Sequence, residues 1–267
     1  MACLTTFMLA VASTLSAAAA ADVTFPATVE VDFVFPRNET YAPTPVFPIV
    51  FAIQNLPAAS PIGPLEITWT ILKIGSDQPP FGEPIVVNNT DSTDPHYVNL
   101  WTGALDGADA AGTYQLYWMV TYMRCLGKED AGLISDGREH NFTFTLDPGA
   151  QQPDLSANLD ACPAQSAAIM IERSWPMESG GSRDVCGVVS RRNRDPPASP
   201  CAVKLDSAAA SSIAAEVTAS ACAASPPALT DGCPETKDSS GSRAAAWNGL
   251  GLVTGPLLAG LLLLVLQ

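Results

Sequence analysis

Residues 109–125 read DAAGTYQLYWMVTYMRC, and this stretch decides the fold. From residue 113 onward it is the longest and most apolar of the candidate strands. Tyr114, Trp118 and Tyr122 fall on one side of it, because side chains of an extended chain alternate between two faces. A row of three rings has two readings: a platform for sugar rings, or part of the core between two sheets. An interior strand buries its large residues, so the core is the expectation. The lead-in agrees. Residues 109–113 set Tyr114 at the strand entrance, where a sandwich places a tyrosine that bonds back to the backbone upstream.

Six shorter runs flank this one. In residues 29–35, Val29, Val31, Phe33 and Phe35 alternate with Glu30, Asp32 and Val34, the pattern of a half-buried strand. Residues 48–53, PIVFAI, form a continuous apolar run suited to a covered strand. Ile67, Trp69 and Ile71 share a face within residues 66–74, and residues 85–87 and 97–101 are shorter candidates. Residues 139–146 alternate Phe142, Phe144 and Leu146 against Asn141, Thr143 and Thr145. Seven strands punctuated by Pro, Gly and Asp predict a mainly β domain over residues 22–148, an immunoglobulin-like antiparallel β-sandwich. Trp69 stands on the third strand, where such sandwiches bury a tryptophan. The usual inter-sheet disulfide is missing, because Ala52 and Leu116 stand in its places.

After Asp147-Pro148-Gly149 the composition shifts toward Ala, Ser and Pro, with few aromatics. Residues 149–224 read as a disulfide-rich extension packed on the sandwich. They carry one short helix at 207–223, capped by Asp206 or Ser207, with Ala210, Ile213 and Val217 on one stripe. Residues 225–240 read as a stalk. Arg191-Arg192-Asn193-Arg194 is the sole basic cluster; it reads as a solvated loop, with dibasic processing as the other reading.

The ends speak of export. Residues 1–21 carry no charged side chain, hold a short apolar run and finish in small residues, the pattern of a signal peptide cut before Asp22. Residues 250–266 form a terminal apolar run behind a short spacer and the small residues at 239–242. That is the pattern of a glycosylphosphatidylinositol (GPI) signal over residues 241–267, with attachment at Ser239 or Ser240. A single-pass membrane anchor is the alternative. The formal net charge is −14, and the two end segments carry only Arg243, so the processed chain sits near −15. Such a polyanion is repelled by nucleic acid and acidic lipid.

With Cys3 inside the leader, six cysteines remain: Cys125, Cys162, Cys186, Cys201, Cys222 and Cys233. An even count in an exported chain implies three disulfides, and Cys125 must then reach into the second half, because no other of the six precedes Cys162. The spacing does not suit zinc. Asn38, Asn88 and Asn141 open N-glycosylation sequons.

Catalytic signatures are missing. His96 and His140 are the only histidines and read as ordinary surface residues; there is no G-x-S-x-G elbow and no H-E-x-x-H pair. Carboxylates at Asp91, Asp94, Asp106, Asp109, Glu129 and Asp130 lie in polar turns, where turn formation and solvation explain them. No cofactor or metal is expected.

The run VEVDFVFPRNETYAPTPVFPIVFAIQN at residues 29–55 is distinctive, and so is PCAVKLDSAAASSIAAEVTASACAA at residues 200–224. With Gly112-Thr113-Tyr114, Trp118 and Cys125, they resemble a family of secreted fungal proteins defined by a domain of unknown function. The resemblance implies a fungal cell-surface or cell-wall protein, often GPI-anchored, and brings no reaction or active-site residue with it. The expected role is non-enzymatic, structural or binding, with cell-wall polysaccharide or another surface ligand as partner and a lipid anchor to the membrane. An extracellular carbohydrate-binding or carbohydrate-active protein is the alternative.

Overall fold

The computed structural model of the chain describes residues 23–89, 93–126, 133–177, 185–190, 196–229 and 231–233. The expected leader, Ser239, Ser240 and the terminal tail lie outside these residues, as do Asp91, Glu129, Asp130 and the basic cluster at 191–194.

The described strands are β1 (Ala27–Phe35), β2 (Thr40–Tyr41), β3 (Phe47–Gln54), β4 (Leu65–Lys73), β5 (Pro84–Val87), β6 (His96–Thr102), β7 (Gly112–Cys125), β8 (Leu133–Leu146), β9 (Gln165–Pro176) and β10 (Val185–Val189). They form two sheets, ordered β10-β9-β1-β3-β6 and β2-β8-β7-β4-β5. Placing β1, β3 and β6 side by side in one sheet and β4, β7 and β8 in the other is the immunoglobulin-like arrangement. Every pairing is antiparallel except β2 with β8, which is parallel.

The inner faces hold the core. Alternation on β1 turns Val29, Val31 and Phe33 inward, and β3 answers with Phe51 opposite Phe33. On the second sheet Trp69 pairs with Trp118 across β4 and β7, and both are buried. Trp118 stacks near Phe33 and meets Phe51 edge-on at 5.6 Å, an arrangement favoured by the ring quadrupoles. The tyrosine corner forms as expected, with the buried Tyr114 hydroxyl donating to the Ala110 carbonyl at 2.7 Å.

The sandwich draws on residues from both sides of position 148. β9 pairs with β1 along Ala27–Phe33, and β10 continues the sheet beyond β9. Residues 165–176 and 185–189, expected to belong to a packed-on extension, are therefore strands of the first sheet. The missing inter-sheet disulfide has a substitute: Cys125 at the end of β7 joins Cys186 on β10. Cys162–Cys201 and Cys222–Cys233 are the other two bridges.

A third layer covers the outer face of the first sheet. Helix α1 (Ser207–Ala223) is capped by Asp206, whose carboxylate accepts from the Ala209 N–H at 2.7 Å. It buries Ala210, Ile213, Val217 and Ala221. The branched pair contributes roughly 1.5–3 kcal/mol per side chain. Asn99 and Trp101 on β6 donate to Glu216 at 2.6 Å and to Ser220 at 3.2 Å. None of the described helices is long and apolar enough to cross a membrane.

Candidate functional site

The most unusual chemistry of the molecule lies on the outward side of β1. Glu30 and Asp32 alternate away from the aromatic core, and the sequence pattern places them in solvent. Both are nevertheless buried, at 4% and 0% exposure. The segment 196–206 and α1 lie over the first sheet, so its outer face is an interface rather than a surface.

Register supplies the partners. Gln54 stands opposite Glu30 on β3, and Ser166 stands opposite Asp32 on β9. Gln54 Nε2 donates to one Asp32 oxygen at 2.8 Å, and the Ser166 hydroxyl donates to the other at 2.5 Å. The Ser199 N–H lies 2.8 Å from both Glu30 oxygens, while the Ser199 carbonyl accepts from Gln54 Nε2 at 3.2 Å. Two carboxyls on one strand are thus the attachment point for the covering segment, which Cys162–Cys201 fastens a second time. Burial pushes the Glu30 carboxyl up to about 7, and the charge and hydrogen bond of Asp32 push the same way against the opposing pull of Ser199.

Paired carboxylates with one held protonated near neutrality can do acid–base chemistry when substrate reaches them. Here both carboxyls are buried, and neither lines the grooves described below on the two sides of α1. The geometry gives the pair a structural task, holding layer to layer. No motif pointed to it, because a Glu-x-Asp step in a strand is common and its burial depends on Ser199, 169 residues away.

The aromatic row is core. Tyr114, Trp118 and Tyr122 are 3%, 1% and 1% exposed, which removes that row as a sugar platform. His140 is half-buried, its ring stacking on Trp118 with centroids 4.5 Å apart. His96 opens β6, with Nδ1 3.4 Å from the Thr93 hydroxyl. Among the loop carboxylates, Asp94 accepts from the Asn55 N–H at 3.0 Å, while Asp106 and Asp109 are exposed. Among the described residues no three His, Cys, Asp or Glu side chains are placed to hold a metal.

Asn38, Asn88 and Asn141 are all exposed. A groove of about 410 Å³ runs between β6 and α1, lined by His96, Tyr97, Asn99, Ile213 and Glu216 among others. Burial raises the Tyr97 hydroxyl, and the Asp206 carboxylate adds to the shift. A second, of about 300 Å³, lies at the other side of the helix beside Pro48, Leu155 and Val217.

A family model described as a domain of unknown function (DUF7136) matches residues 24–231. No curated protein and no solved structure matches the chain.

Proposed function

The chain belongs to that family, and from this premise we propose that it is a secreted fungal surface glycoprotein, GPI-anchored, with a structural or binding role rather than an enzymatic one. The observation that carries the reading is the oxidised framework. All six cysteines beyond the expected leader pair with one another, in three bridges that tie β7 to β10, the 196–206 segment to the loop before β9, and α1 to the residues beyond it. Disulfides persist in oxidising compartments. Three exposed sequon asparagines, the leader pattern and the terminal pattern point the same way, and the resemblance supplies the fungal wall. The row of Tyr114, Trp118 and Tyr122, Trp69 and the acid pair of Glu30 and Asp32 are taken up by packing, which favours a display scaffold over a catalyst.

The test is fractionation of cells making the full chain, with phosphatidylinositol-specific phospholipase C, a truncation after Asp238 and a peptide-N-glycosidase digest. Release by the phospholipase, with the truncated form in the medium, is the expected result. Retention in detergent-extractable membrane with Gln267 still present contradicts it.

The groove between β6 and α1 supports a second reading, carbohydrate binding. A half-buried tyrosine beside Asn99 and Glu216 offers a sugar both a ring face and hydroxyl partners. Retention on insoluble wall polysaccharide that Tyr97→Ala abolishes favours this reading, and equal retention of both forms counts against it.

A further inference from the structure

The two outer faces of the sandwich are finished differently. That of the first sheet is covered by α1 and the 196–206 segment. On the second sheet the outward positions of β7 and β8 stay exposed or half-exposed, although they include Tyr117 and Met119, the latter 36% exposed. Asn141 lies on that face midway along β8, which has β7 on one side at this level and is beyond the reach of the two-residue β2 on the other. Register sets it directly opposite Tyr117 on β7, with Thr70 of β4 on the far side of the tyrosine. Directly opposed side chains in an antiparallel pair have Cβ atoms about 5 Å apart, and diagonal neighbours are about 7–8 Å away. Met119 and Gln115 are those diagonal neighbours. Gln115 Nε2 donates to Asn141 Oδ1 at 3.4 Å, so the amide oxygen faces Gln115, and that bond does not use Nδ2, the atom that carries a sugar. Asn38 and Asn88 have no such setting: one lies in the turn between β1 and β2, the other just past the end of β5.

We propose that the N-glycan on Asn141 is the missing cover of this face, its first N-acetylglucosamine lying on the Tyr117 ring. The inference rests on the reading of the chain as a secreted glycoprotein and gives one of its three sequons a structural task. A pyranose carries a face of axial C–H bonds, and an aromatic ring presents a negative face to such groups. The Tyr117 ring is a partly exposed surface on the outward side of the sheet, one strand from Asn141. Outward polar groups at Thr68, Thr70 and Thr143 border it, leaving hydroxyl partners for the rest of the sugar.

The experiment uses the full chain made in a eukaryotic secretory host, with Asn38→Gln and Asn88→Gln so that one glycan remains. Endoglycosidase H trims that glycan to a single N-acetylglucosamine. Thermal unfolding of the trimmed protein is compared with Asn141→Gln, in backgrounds carrying Tyr117, Tyr117→Phe or Tyr117→Ala. The trimmed sugar should raise Tm by about 2–4 °C with tyrosine or phenylalanine present, and by nothing with alanine, the size a contact of ordinary aromatic strength gives in a domain of this length. An equal effect in all three backgrounds, or none in any, overturns the proposal and leaves the glycoprotein reading intact. Glycopeptide mass spectrometry of the unaltered chain separates the two failures. Asn141 empty while Asn38 or Asn88 is occupied overturns the proposal alone, and all three empty in exported protein overturns the glycoprotein reading as well.

Discussion

Glu30→Gln should flatten the pH dependence of stability between about pH 4.5 and 7. The Glu30 carboxyl sits at about 7 in the folded chain against an ordinary value of 4.5. A folded-state value above the unfolded one means that the native protein holds this proton more tightly. The stabilisation is therefore complete below about pH 4.5, fades as pH rises, and is gone above about 7. Each unit of difference is worth about 1.4 kcal/mol, so the full swing is of order 3 kcal/mol. The coupling to Asp32 makes that an upper figure belonging to the pair rather than to Glu30 alone. Glutamine keeps the side chain's size and offers donors to Asp32, but does not titrate. Urea unfolding at pH 5 and pH 8, followed by tryptophan fluorescence, measures the difference in both proteins, and the double difference cancels every other titrating group. Wild type should lose about 2–3 kcal/mol between the two values, and the variant should lose correspondingly less. Equal slopes in the two proteins would refute the reasoning, because they would place the Glu30 carboxyl in contact with water.

Three further perturbations follow from the packing. Tyr114→Phe removes the hydroxyl that satisfies the buried Ala110 carbonyl, and should lower unfolding free energy by about 1–2 kcal/mol in a denaturant titration with unchanged m-value. Replacing Cys125 and Cys186 together with alanine opens a loop spanning 61 residues; the chain-entropy model puts the loss at about 4 kcal/mol, read as a fall in Tm relative to the oxidised protein. Burial alone would raise the Asp136 carboxyl, but the Arg124 guanidinium at 2.8 Å and the Gly137 N–H hold it below the usual range. Its contribution is complete above about pH 4 and is lost as pH falls further, so Asp136→Asn should shallow the acid limb of a stability–pH curve.

The strands with long alternating runs were legible because period-2 patterning is local. β7 and the helix at Ser207–Ala223 stand where the residues place them, while β8 begins at Leu133, ahead of the expected start at residue 139. β9 was not legible. Its Ala167 and Ala168 carry little strand preference, and its membership in the first sheet depends on pairing with β1, which begins more than a hundred residues earlier. The burial of Glu30 and Asp32 was hidden for a related reason. Alternation tells which side of a strand a residue faces, but not whether another layer closes over that side. Sequons are local tripeptides and were read directly. The neighbour that gives Asn141 its setting, Tyr117, emerges only from the register of β7 against β8.

The position of β1 between β3 and β9 has a consequence for synthesis. A chain entering a compartment from its N-terminus delivers β1 about 130 residues before β9, the gap from Phe35 to Gln165. At about 5–20 residues per second that is an interval of order 10 s. During it, one long edge of β1 has no partner and is open to a neighbouring nascent chain. Charged side chains on such an edge oppose intermolecular pairing. The acidic side chains Glu30 and Asp32, not yet covered at that stage, would repel the same edge on a second molecule. The acid pair that ends as an internal fastening therefore begins as a guard against aggregation.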